Sequence, residues 1–235
     1  MKTVELFGRV GDEKDGTTER QFLAQMNGIR PDEDLHVIIN SIGGHIMQGL
    51  GMYSAMVEHQ GMVEVEIRGI AGSIASVAAM AADRIVMHQS SRMMIHNAMG
   101  PSKIEFGNAE QLRAAAGETL KTAEILESIS DDIAGIYADR TGQSRADVHA
   151  MMDAETMMNS QRAVELGFAD SVRSSKQLVA CIEAKCEADP LKTEAELVAV
   201  AEACSGLKVR NRRNTSIELL QRRKRQQRQL EAVLK

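Results

Sequence analysis

Twice between Leu35 and Ala82 a strand-like run stops at a cluster of glycine and other small residues, and an apolar helical pattern begins directly after it. The first run, Leu35–Ile39 (LHVII), is almost continuously apolar, as expected of a strand buried on both faces of a parallel sheet. It leads through Asn40–Gly44 (NSIGG) into an apolar-periodic helix over Ile46–His59. The second run, Val63–Ile67 (VEVEI), alternates like a strand, passes through Gly69–Ser76 (GIAGSIAS) and continues as a small-residue helix over Ile74–Ala82. A strand over Thr3–Val10, a polar turn and a helical stripe at Phe22, Leu23, Met26 and Ile29 precede this pair. Short strands at Arg84–Met87 and Met93–Ile95 follow it. Strands and helices in strict alternation predict an α/β fold with right-handed crossovers.

The second half reads differently. Gly107–Arg140 is expected to be one long helix, with an apolar seam at Leu112, Leu120, Ile125, Ile129, Ile133 and Ile136. Gly117 and Gly135 each weaken it by about 1 kcal/mol relative to Ala. A shorter helix starts near Arg145, another covers Ser160–Gly167, and a last strand lies around Ala169–Val172. We place a boundary near residue 175. Beyond it, helices are expected over Lys176–Ala188, Thr193–Cys204 and Ile217–Leu234, with a linker at Lys208–Thr215. The organisation is therefore an α/β domain over 1–175 and a helical, basic C-terminal extension over 176–235.

Charge supports that division. From Lys208 onward there are ten Lys/Arg against two Glu, while the first 207 residues hold 18 basic and 31 acidic side chains. An acidic body with a basic tail argues for a separate partner of the tail, or for docking of the tail on the body. No apolar run reaches the roughly 20 residues of a membrane span, and the first residues lack the apolar core of a signal peptide. Cys181, Cys186 and Cys204 are odd in number and have no CxxC pairing. A cytoplasmic protein without membrane contact is expected.

Three segments carry chemistry. Ser73 sits in the GIAGSIAS turn, where Gly69, Ala71, Gly72 and Ala75 leave room for a substrate carbonyl. A serine hydroxyl is a weak nucleophile until a base takes its proton. If a helix starts at Ile74, its free N–H groups face the oxyanion that would form. The double glycine Gly43–Gly44 can turn backbone N–H groups toward a bound carbonyl, and His96 ends the apolar MMIH segment as the available base. The same residues also suit close helix–sheet packing, an ordinary turn and a satisfied core histidine. Asp153 and Glu155, in MMDAETMMNS, are the carboxylates that could orient the imidazole, and spacing does not choose between them. The six histidines show no ligand spacing, so neither a metal site nor any other cofactor is expected.

Taken together, Ile39–Gly44 (INSIGG), Gly69–Ala75 (GIAGSIA), Met94–His96 (MIH), the TGQS at Thr141–Ser144 and Ala163–Asp170 (AVELGFAD) resemble ClpP, the proteolytic subunit of the Clp proteases, over roughly residues 1–175. The resemblance implies a ClpP/crotonase-like fold of stacked strand–helix repeats with a long handle helix, and a serine endopeptidase. It makes Ser73 the nucleophile, His96 the general base, and the N–H groups of Gly44 and Ile74 the oxyanion hole. Gly43, Gly44 and Met99 would contact the substrate. Counting back from AVELG puts Glu155 at the acid position, two residues after Asp153. It further implies polypeptide substrates and self-association into rings, heptameric and stacked.

The chain departs from that pattern. Ile42 stands where the family has proline, Ala75 replaces a glycine after the serine, and no axial loop or ATPase-docking segment is evident at the N-terminus. With the basic tail, these departures resemble the ClpP-like prohead proteases of tailed phages, which process scaffold and capsid proteins during head maturation. Capsid and scaffold proteins, or a Clp-type ATPase, are the corresponding partners. Three other functions fit parts of the pattern: a crotonase-type acyl-CoA enzyme, a signal-peptide-peptidase-like Ser–Lys protease, and a catalytically silent ClpP-like shell. For the tail, the options are phosphate contacts from Arg210, Arg212, Arg213 and Arg222–Arg225, an interaction helix, or a solvated appendage.

Overall fold

A computed structural model describes residues 2–101 and 106–173. The expected C-terminal helices, the linker, the three cysteines and the basic tail lie outside the described residues. The elements are β1 (Lys2–Val10), β2 (Gly16–Thr17), α1 (Glu19–Met26), β3 (Leu35–Gly44), α2 (Ile46–Glu58), β4 (Val63–Gly72) and α3 (Ile74–Ala79). They continue with β5 (Arg84–His88), β6 (Arg92–Met94), α4 (Ala109–Thr141), α5 (Arg145–Asp153), β7 (Met157–Asn159), α6 (Ser160–Glu165) and β8 (Ser171–Arg173).

The main sheet has the order β2-β1-β3-β4-β5-β8, with every neighbouring pair parallel. Alternation sorts its side chains. Val4, Leu6, Leu35, Val37, Ile39, Val63, Val65, Ile67, Ile85 and Met87 enter one core with Met52 and Met56 of α2, with α3, and with Ile133, Ala134 and Tyr137 of α4. His36, Glu64, Glu66, Arg68 and Arg84 hold the intervening positions. The second face of β3 and β4 is thus not apolar throughout: fully buried Glu66 is linked there to His36, His88, Arg68 and Arg173. Burial acts to raise the Glu66 carboxyl, but hydrogen bonds with Arg68 and His88 and the charges of Arg173 and Arg68 outweigh it and hold the group at about 2.

Two strands run further than their apolar content predicts. β3 continues through NSIGG, because Arg9 and Val10 of β1 pair with Gly43 and Gly44 after a register shift. β4 continues through Gly72 and changes neighbour on the way. Glu64–Ile67 pair with β5, whereas Ile70–Gly72 pair with Arg92–Met94 of β6. The step between the two halves falls at Gly69 (φ 102°), where a Cβ would meet Asn40 Oδ1 at 2.3 Å. Asn40 Oδ1 accepts from the Ile70 N–H at 3.2 Å, so the asparagine of NSIGG braces the bend.

The long helix is α4, of 33 residues. A capping box between Asn108 and Gln111 starts it, and Gly142 in the left-handed conformation (φ 75°) closes it. Only its C-terminal part is buried; Leu112, Leu120 and Ile125 remain exposed. Among the described residues no helix is long and apolar enough to cross a membrane.

Candidate active site

The pairing of β4 with β6 builds the site. Gly72 lies beside Met94, and the ladder extends one step further because the Ser73 N–H donates to the Met94 carbonyl at 2.9 Å. Ser73 therefore leaves the sheet next to the strand that ends two residues before His96. The His96 Nε2 atom stands 2.7 Å from Ser73 Oγ, within hydrogen-bonding range.

Ser73 is also the N-cap of α3, a position where serine ordinarily accepts from the helix N–H groups. Here its side chain makes no capping bond, because the backbone takes φ 53°, ψ −132° and presents the hydroxyl to the imidazole instead. Such a conformation costs a non-glycine residue on the order of 1–3 kcal/mol and persists only when its surroundings over-determine it. Gly43 crosses directly over this point. A Cβ there would lie 2.6 Å from Ser73 Cβ and 2.7 Å from the Gly72 carbonyl oxygen, so only glycine fits, and its φ of 92° suits glycine as well.

These residues face one cleft of about 480 Å³. Gly43, Gly44, Ser73, Ile74, His96, Met99 and Glu155 all line it, together with apolar Ile42, Ile46, Val77, Met94 and Ile133. Arg9 adds a cation to the rim. The Gly43 N–H donates to Ser41 Oγ at 3.1 Å, and the neighbouring Gly44 lines the cleft with Ile74. Exposed Ile42 and Met99 give the opening an apolar border.

The two carboxylates are treated differently. Asp153 accepts a hydrogen bond from Asn97 Nδ2 at 2.7 Å and does not line the cleft. Glu155 follows α5 with a left-handed step (φ 47°) and does line it. Among the described residues Ser73 is the one side chain hydrogen-bonded to the His96 ring. Sequence reasoning passed over Ser76, Tyr137, Ser130 and Asn97, all of which touch the surroundings of Ser73 or His96. Ser76 could have been noticed as the next polar group on the helix that starts after Ser73; the others carry no local signal. Among the described residues no cluster of His, Cys, Asp or Glu could hold a metal ion.

The arrangement provides a serine hydroxyl paired with an imidazole, backbone N–H groups nearby and a partly apolar cleft, which are the requirements of acyl transfer. The family model for Clp protease matches residues 3–176. An ATP-dependent Clp protease proteolytic subunit from Ligilactobacillus salivarius (strain UCC118) is 28% identical over 150 residues, covering 63% of this chain and 71% of that relative. A protein of the same name from Bacteroides fragilis (strain ATCC 25285) is 29% identical over 180 residues, 75% of this chain and 81% of the relative. The second B. fragilis strain, YCH46, has one with the same identity, covering 76% of its length. A parallel sheet with helices around it, a long helix after the histidine strand and a family match that runs through both lead to one conclusion: the chain belongs to the Clp protease family and is a serine-type peptidase of the ClpP kind.

Proposed function

We propose that this peptidase cleaves polypeptides with Ser73 as nucleophile, His96 as general base and Glu155 as the acid that holds the imidazole. The observation that carries the reading is the 2.7 Å contact between Ser73 Oγ and His96 Nε2, made by a serine turned away from its capping role. Ser73 Oγ attacks the scissile carbonyl carbon as its proton passes to His96 Nε2. The carbonyl oxygen becomes an oxyanion facing the Gly44 and Ile74 N–H groups, each such donor contributing roughly 3–4 kcal/mol. His96 then returns the proton to the leaving amine, the C–N bond breaks, and an ester on Ser73 remains. Water, deprotonated by the same imidazole, hydrolyses the ester and regenerates the hydroxyl. The apolar walls favour apolar side chains at the cleavage point.

The test is labelling with a fluorophosphonate, with the adduct mapped by mass spectrometry. Label on Ser73 that is lost in Ser73→Ala and His96→Ala supports the reading. A folded, assembled protein that takes no label sinks it.

We infer further that the chain works as a homo-oligomeric ring, heptameric and stacked, in the cytoplasm of a phage-infected host, and that its substrates are scaffold and capsid polypeptides. The exposed apolar residues of α4 suit pairing between subunits, and the basic segment beyond the matched residues suits an acidic assembly partner. Co-expression with a scaffold and a capsid protein should give Ser73-dependent cleavage products. Intact substrates beside an enzyme that cleaves casein would overturn the assignment.

A further inference from the structure

Behind Ser73 lies a buried hydroxyl pair that takes no part in the proposed acyl transfer. Ser76 of α3 is fully buried, and its Oγ is 2.6 Å from the Ser73 carbonyl oxygen, 3.0 Å from the Met94 carbonyl oxygen and 2.8 Å from the Tyr137 hydroxyl. Tyr137 comes from α4, 1% exposed, with its ring held edge-on to Phe168 at 5.6 Å between centroids. Burial pushes its phenol well above the ordinary tyrosine value, so it keeps its proton at working pH.

Counting hydrogens settles the direction of these bonds. Both carbonyl oxygens can only accept, and Ser76 has a single hydrogen. If Ser76 gave that hydrogen to Tyr137, its lone pairs would face two carbonyl oxygens at 2.6 and 3.0 Å. The satisfied arrangement has Tyr137 donating to Ser76 Oγ, and Ser76 donating to the Ser73 carbonyl and, by sharing, to that of Met94. The Met94 carbonyl also takes the Ser73 N–H at 2.9 Å. One oxygen, two residues before His96, therefore ties together the nucleophile turn and the strand that carries the base. Two turns earlier on the same helix, Ser130 Oγ accepts from the Ala98 N–H at 3.0 Å, on the other side of His96.

We propose that Ser76 and Tyr137 are positioning residues that lock Ser73 in its left-handed conformation and hold it in register with His96. Tyr137 acts through Ser76: its hydroxyl fixes the Ser76 rotamer, and Ser76 fixes the two backbone carbonyls. The proposal rests on the reading of Ser73 and His96 as nucleophile and base.

The test uses the full chain with Ser76→Ala, Tyr137→Phe and the double variant, a fluorogenic peptide substrate, thermal melting and crystal structures of each. Loss of one hydrogen bond should lower kcat about tenfold in Ser76→Ala and about threefold in Tyr137→Phe, with KM within twofold. The double variant should match Ser76→Ala alone, because the tyrosine has no other route to the site. In Ser76→Ala the Ser73 Oγ to His96 Nε2 separation should exceed the roughly 3.2 Å limit of a good hydrogen bond. Tyr137→Phe keeps the ring and its packing, so it remains informative if Ser76→Ala fails to fold. Variants that melt lower but keep wild-type kcat, or losses that multiply in the double variant, overturn the proposal. So does a 2.7 Å contact preserved in both single variants. A wild type that neither labels nor cleaves would refute the function reading alone, because the crystallographic separation still decides the positioning role.

Discussion

Replacing Glu66 by Gln tests whether an ion cluster remote from the cleft contributes to stability. The carboxylate is fully buried and has Arg68 Nε at 2.5 Å, His88 Nε2 at 2.6 Å, His36 Nε2 at 3.0 Å and Arg173 Nη1 at 3.1 Å. A carboxyl held at about 2 rather than its ordinary 4.5 favours the anion by on the order of 3 kcal/mol, at about 1.36 kcal/mol per tenfold change in proton affinity. Water reaches Arg68 and Arg173, whose side chains are 47% and 46% exposed, and screens part of this, so 1.5–3 kcal/mol is the rough expectation. The sign follows from the lowered value. The stabilisation is complete above the unfolded value of 4.5 and is lost as pH falls toward 2. Gln imitates the protonated acid, so the gap between wild type and Glu66→Gln should be widest at neutral pH and close between those limits. Urea denaturation at pH 7, 5, 3.5 and 2.5, at one fixed protein concentration, measures it. A gap that is absent at pH 7, or one that does not change with pH, would refute the argument.

Two further outcomes concern the site. Glu155→Gln should lower kcat/KM by roughly 10³- to 10⁴-fold, as expected for loss of the residue that holds the imidazole, while Asp153→Asn stays within about threefold; peptide hydrolysis of both variants checks this, and the reverse ranking would move the acid to Asp153. Gly43→Ala should cut the fluorophosphonate labelling rate by roughly 100-fold with an unchanged circular dichroism spectrum, because the new methyl must displace Ser73 Cβ or the Gly72 carbonyl; near-normal labelling would show that the crossing is looser than drawn.

The layered α/β fold and the 33-residue helix were legible because they rest on local patterns: apolar runs and 3.6-residue periodicity. What could not be read depends on partners distant in sequence. Nothing in NSIGG or GIAG looks like strand, yet both stay in the sheet because β1 and β6 offer backbone groups to them. β2 and β7, of two and three residues, are too short to leave a pattern. At the site, the elbow around Ser73 and the strand end at His96 were visible as motifs. Spacing left Asp153 and Glu155 open; in the structure Glu155 takes a left-handed step and lines the cleft, whereas Asp153 accepts from Asn97, 56 residues away. Tyr137 was passed over within the long helix; its hydroxyl meets a partner only when Ser76, 61 residues away, is brought against it.

The divided pairing of β4 splits the sheet into units of unequal strength. Its first half is embedded between β3 and β5, whereas β6 is joined to the rest by three register pairs on each side, to Ile70–Gly72 and to β7. Amide protection should follow that division, with β6 and β7 exchanging through local openings at a free energy below that of global unfolding. His96 hangs from the weaker unit and Ser73 from the end of the stronger. Heat or denaturant can therefore separate His96 from Ser73 while β3–β5 stay folded, and peptidase activity should melt before the fold does.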